Sequence, residues 1–156
     1  MREPRILPSL EALAEIEGED LGASDWVEIP QSKIDAFAEV TDDHQWIHVD
    51  PARAAAESPF GSTVAHGYLT LSLAPALLQT LIEVQGCSRI INSGIDKLRL
   101  KAPVAAGARV RLAASVKNVK LVRSQMAHVT LGVRFEIEGE SKPAMQGDLI
   151  YVYFRD

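Results

Sequence analysis

An α+β domain, with helices first and a run of antiparallel strands after them, is the architecture this sequence predicts. Three observations carry it. Ile34, Phe37, Ala38 and Thr41 fall at i, i+3, i+4 and i+7, the apolar face of a helix. Residues 58–82 contain no Asp, Glu, Lys or Arg, which suits a helix buried in a protein core. After Gly86 the apolar period changes from helical to two, the period of half-buried strands. A long helix laid on one face of an antiparallel sheet satisfies all three.

The elements run in order along the chain. Residues 9–17 predict a short amphipathic helix with Ser9 as N-cap and Leu10, Leu13 and Ala14 on one face. Residues 18–24 read as a linker and 26–29 as a short strand. A second helix starts at Ser32, where Ser32 and Asp35 stand in capping-box positions. Asp50-Pro51 restarts a helix, with Asp as N-cap and Pro at the first helical position. It ends before the loop 58–61. One apolar helix is expected over 66–84, with a kink at Pro75. Strands are expected over 90–100, from Arg109 to Val116, over 128–137 and over 148–154. The short loops after residue 100 favour meander pairing.

At 156 residues the chain has one domain's length, and 47% apolar with 24% charged residues excludes a disordered chain. A net charge of −5 argues against a general nucleic-acid binder. The single cysteine, Cys87, excludes a disulfide framework and predicts a reducing, cytoplasmic setting. The uncharged stretch 58–82 is long enough to span a bilayer. His66, Gly67, Pro75 and Gln79 within it are too polar for lipid, so no membrane insertion is expected.

The chemistry concentrates in T-D-D-H-Q-W-I-H-V-D, residues 41–50, with three carboxylates and two imidazoles in ten residues. Ala65-His66-Gly67 comes later, at the start of the apolar helix, where unpaired N–H groups and the positive end of the helix dipole face outward. A carboxylate and a histidine beside such an end can supply a general acid, a general base and an oxyanion donor. His44 and His48 form an H-x3-H pair, but no further ligands have matching spacing, so no metal is expected.

The run F-A-E-V-T-D-D-H-Q-W-I-H-V-D-P-A-R-A, residues 37–54, resembles the signature of the MaoC-like dehydratases, the (R)-specific enoyl-CoA hydratases. It is most similar to their nodulation protein N-like branch. Pro59-Phe60-Gly61, Ala65 to Leu73 and Gly94 to Gly107 resemble the same branch. The resemblance implies a hot-dog fold, a long central helix wrapped by an antiparallel sheet. It implies a lyase that adds water reversibly to a trans-2-enoyl thioester carried by coenzyme A or acyl carrier protein, with no cofactor beyond the substrate's own coenzyme A. It places the catalytic roles on Asp43 and His48, which hold the water, and on Gly67, whose N–H binds the thioester oxygen. Gln45, Trp46, Ser62 and His66 complete the candidate substrate site, although Trp46 and His66 suit packing better than direct catalysis. A homodimer pairing edge strands is also implied. Three positions depart from the family pattern: Asp42 stands where Gly is frequent, Gln45 where Asn is, and Trp46 where Pro is.

The strong resemblance begins near residue 25, which divides the chain into an N-terminal helical extension, 1–24, and a MaoC-like domain, 25–156. Between Lys97 and Phe135 there is no Asp or Glu but nine of the 16 basic residues, which suits either coenzyme A phosphates or a solvated strand face. Two rival functions stand beside the hydratase. One is a hot-dog thioesterase, which the D-x4-H spacing disfavours. The other is a non-catalytic acyl-thioester-binding module, which Asp42 and Gln45 would allow.

Overall fold

Alternation of apolar and polar side chains from Arg109 onward builds the largest element. In the computed structural model, which describes residues 3–155, these side chains form three long strands. The chain runs β1 (Arg5–Leu7), α1 (Ala12–Glu15), β2 (Asp20–Ala23), β3 (Val27–Glu28), α2 (Gln31–Thr41), α3 (Trp46–Val49) and α4 (Pro51–Glu57). It continues with α5 (Gly67–Ser72), α6 (Ala74–Gln79), β4 (Ile82–Val84), β5 (Arg89–Leu100), β6 (Arg109–Val122), β7 (Met126–Ile137) and β8 (Met145–Phe154). Residues 1, 2 and 156 of the two segments divided at residue 25 lie outside the described residues.

The expected meander is present. The main sheet has the order β2-β6-β7-β8-β5, with β3 also paired to β6. All of its pairs are antiparallel. Val110, Leu112, Ala114 and Val116 of β6 point to one face, with Val129, Leu131, Val133, Phe135 and Ile137 of β7. All are buried there against Leu69, Leu77, Leu78 and Leu81. The same core takes in Leu10, Leu13, Ile16 and Leu21 from the N-terminal segment. Within that segment β2 extends the sheet beyond β6, and β1 pairs in parallel with β4.

Several local expectations are corrected. The helix expected over 66–84 is two short helices meeting at Leu73, with Pro75 in the first turn of the second. Proline has no N–H to continue the ladder, so the axis breaks there. Its last residues, Ile82–Val84, are strand, because they pair with β1. The helix expected over 9–17 is only Ala12–Glu15, with Glu11 rather than Ser9 at the N-cap position and no side-chain cap. The helix α2 begins at Gln31 behind Pro30, with no side-chain cap from Ser32. The Asp50 cap is as expected: its carboxylate accepts from the Arg53 N–H at 3.0 Å. No helix among the described residues is long and apolar enough to cross a membrane.

The face of the sheet away from the helices carries a crossed ion pair. Lys117 of β6 reaches over β7 to Asp148 of β8, which is buried while the lysine is half exposed. Gly132 makes the crossing possible, because a Cβ there would lie 2.6 Å from Lys117 Cε. Removing the lysine strands a buried carboxylate, whereas removing the carboxylate frees a lysine that reaches water. Lys117→Met is therefore expected to cost about 1–3 kcal/mol and Asp148→Asn less; chemical denaturation of both variants checks the order. Two tyrosines give a second prediction. Burial pushes the Tyr151 hydroxyl up to about 12 and raises Tyr153 as well, with Tyr151 and Cys87 adding to the latter. The unfolded chain loses these protons near pH 10 while the folded chain keeps them. Stability is thus expected to fall as pH rises from about 10 toward 12, and a Tyr151→Phe, Tyr153→Phe variant should flatten that fall in pH-dependent urea melts.

Candidate active site

The site grows from three extended residues, Thr63, Val64 and Ala65, that lie between the helices and the sheet. On one side the strip bonds to the chain before β6. Ala65 N–H donates to the Val104 carbonyl at 2.8 Å, and Ala106 N–H donates to Thr63 at 2.9 Å. On the other side Val64 N–H donates to the Ile47 carbonyl of α3 at 3.0 Å. The Val64 carbonyl accepts from His48 Nδ1 at 2.6 Å. A carbonyl only accepts, so His48 carries its proton on Nδ1 and leaves the Nε2 lone pair free.

Asp43 enters from the end of α2. Asp42 closes that helix with φ +56°, in the left-handed region. Glycine takes this conformation without strain, and aspartate tolerates it better than most residues. The departure from Gly at position 42 therefore keeps the backbone turn that brings Asp43 into the site. The Asp43 carboxylate is about half exposed.

His66 joins the two. It is buried, and its Nε2 lies 3.0 Å from the Asp43 carbonyl and 3.9 Å from an Asp43 carboxylate oxygen. Its ring stacks on His48 with centroids 3.8 Å apart and an interplanar angle of 26°. A carboxylate oxygen of Asp43 and one ring nitrogen from each histidine lie within 4.8 Å of one another. They make a poor cation cage. Stacked rings aim their nitrogen lone pairs side by side rather than at one ion, and two of the four ring nitrogens already face carbonyls.

Gly67 is the first residue of α5, with His66 as its N-cap. Its N–H is one that a helix start leaves without an intrahelical acceptor. Gly67 borders a 280 Å³ cleft with Phe60, Thr70, Leu100, Lys101 and Met145. A Cβ at Gly67 would sit 2.7 Å from Leu100 Cδ1, so any side chain there displaces the leucine.

The remaining candidates are placed less centrally. Gln45 is the exposed N-cap of α3. Trp46 carries the Arg53 guanidinium over its ring at 4.3 Å. The Ser62 hydroxyl donates to the Thr63 carbonyl at 3.2 Å. No hydrogen bond joins these three side chains to Asp43, His48 or His66 among the described residues. His44 is exposed, 3.7 Å from Glu39. One positioning residue escapes a reading of the sequence. Gln31, at the start of α2, donates to the His48 carbonyl at 2.7 Å and accepts from the buried Thr63 hydroxyl. An amide has no spacing signature, and residues 31, 48 and 63 meet only through folding.

The likenesses to known proteins are specific. The MaoC like domain matches residues 13–137. The 3-hydroxyacyl-thioester dehydratase Z of Mycobacterium tuberculosis (strain ATCC 25618 / H37Rv) is 44% identical over 149 residues, covering 96% of this chain and 98% of that protein. Nodulation protein N of Rhizobium leguminosarum bv. viciae is 41% identical over 136 residues, covering 86% and 84%. Among solved structures, the (R)-hydratase from A. caviae involved in PHA biosynthesis superposes with a TM-score of 0.67 at 26% identity, covering 86% of this chain and 96% of that one. The helix-and-meander architecture is the hot-dog fold, and the chain belongs to the MaoC-like dehydratase family of hydro-lyases.

Proposed function

We propose that this enzyme catalyses reversible hydration of a trans-2-enoyl thioester, equivalently dehydration of an (R)-3-hydroxyacyl thioester. The observation that carries the reading is the pairing of His48 with Asp43: a ring nitrogen of His48 lies within 4.8 Å of an Asp43 carboxylate oxygen, and the Nδ1 bond to Val64 leaves Nε2 as the lone-pair nitrogen. One water is held between the two groups. As its oxygen bonds to C3, the pair takes one water proton and returns one to C2, so atoms and charge balance over the cycle. The electron pair of the C2–C3 double bond ends in the new C2–H bond. In passing it places negative charge on the thioester oxygen, where the Gly67 N–H donates. Neither a metal nor a redox group is needed.

Substrate and partner readings rest on the same site. The name of the mycobacterial relative supports an acyl thioester and that of the A. caviae relative an (R)-hydratase; the carrier in this reading is coenzyme A or acyl carrier protein. The basic run 97–135 is only partly available for phosphates. Arg109 pairs with Glu138, Lys117 with Asp148, and both Arg111 and Arg134 with Glu136. Burial raises the Glu136 carboxyl, but hydrogen bonds from the two arginines outweigh it and hold the group low. Lys101, at the cleft containing Gly67, is better placed.

A homodimer fits the free edge. All of β5 is exposed except Gly94 and Leu98, which are half buried. Ile90, Ile91, Ile95 and Leu100 are 44–59% exposed along it. An edge this long and apolar invites pairing with another strand.

Two expected outcomes test these readings. With crotonyl-CoA, Asp43→Asn and His48→Gln should each lower kcat about a hundredfold or more while melting like the wild type. The loss of enoyl absorbance and chiral analysis of the product check this. Free thiol release would mark a thioesterase instead, and tight binding without turnover by the wild type would mark a binding module. Light scattering should give twice the chain mass for the wild type, and Ile91→Lys combined with Ile95→Lys should give the monomer. A monomeric wild type would remove the dimer.

A further inference from the structure

We propose that His66 is a positioning residue for both halves of the Asp43–His48 pair, its Nε2–H holding the Asp43 backbone while its ring face holds the His48 imidazole. This rests on the hydratase reading. The contacts converge on one rigid side chain that is 3% exposed. Because the Asp43 carbonyl can only accept, the 3.0 Å contact puts the proton of His66 on Nε2. The His48 ring lies 3.8 Å away in near-parallel stacking, and the Phe37 ring packs at 5.0 Å and 52°.

Each half of the pair needs such a hold. Asp43 lies outside any helix or strand, between Asp42 and α3. The bond from His48 Nδ1 to Val64 fixes one end of that ring, but a single hydrogen bond leaves the plane free to tilt. A stacked neighbour removes the tilt and so fixes the direction of the free Nε2. His66 Nδ1, in contrast, is buried without a hydrogen-bond partner. A residue serving only to fill space would do better as phenylalanine or leucine, with no buried nitrogen to leave unpaired. The side chain therefore supplies a donor on one edge and a flat ring on its face. It also sits directly before Gly67, so the same residue ties the acid–base pair to the oxyanion donor.

The variants His66→Phe and His66→Gln separate these functions. Phenylalanine keeps the ring and loses the donor; the glutamine amide nitrogen reaches where Nε2 sits and loses the ring. His66→Phe is expected to lower kcat about a hundredfold, with KM and Tm near wild type. His66→Gln should recover part of that loss. Wild-type kcat in His66→Phe, or losses in both variants that merely track a fall in Tm, would overturn the assignment. Nitrogen-15 NMR of the four histidines in the wild-type protein is decisive even where a variant fails to fold. His66 should show the Nε2–H tautomer, and the Nδ1–H tautomer would overturn it. Running Asp43→Asn alongside separates the two claims. A fully active Asp43→Asn sinks the catalytic pair, whereas an inactive one beside a fully active His66→Phe sinks only the role of His66.

Discussion

The backbone of Thr63, Val64 and Ala65 is hydrogen-bonded on both of its sides, and the site hangs on that double use. One edge binds the segment before β6, and through it the sheet. The other edge binds α3, once through the Val64 N–H and once through the carbonyl that takes the His48 proton. A buried strip must satisfy its N–H and C=O groups somewhere. Here that requirement registers α3, which carries His48, against the sheet. It also selects the tautomer of His48. His66 and Gly67, the next two residues of the chain, emerge at a position set by the same bonds.

The break at Leu73 has its reason in two competing demands. The helix pair α5–α6 must cover the inner face of β6 and β7 with Leu69, Leu77 and Leu78 while its first residue points into the cleft. One straight helix would have to meet both demands along a single axis. The break at Pro75 lets the N-terminal half serve the site and the C-terminal half serve the core. The N-terminal segment is part of the same core, through Leu10, Leu13 and Leu21, and is pinned to the chain end where Arg155 bonds Glu11. That pair holds the Glu11 carboxyl down to about 2.

Polar support around the pair comes from several elements. Gln31 grips the His48 carbonyl from α2, the Thr63 hydroxyl grips Gln31, and His66 grips the Asp43 carbonyl from the start of α5. Such supports fix the placement of the side chains they hold, and chemistry that depends on geometry is sensitive to small errors in placement. The exposed face of β5 stands apart from this rigidity, apolar and unpaired along one edge.

The sequence by itself determined the α+β class, the strands of the meander, the Asp50 cap and the residues 43, 48 and 67 as candidates. These are legible because period, caps and motif spacing are local properties of the chain. It misplaced the end of the long helix, since Ile82–Val84 are as apolar as a helix face and become strand only by pairing with β1. It marked Asp42 as standing where glycine is frequent, but not the reason, a left-handed backbone that aspartate tolerates. Gln31, the stacking of His66 on His48 and the crossing of Lys117 over Gly132 were decided by tertiary structure alone. Each joins residues 15 or more positions apart, and no local pattern records which side chains the closing of the core will bring into contact.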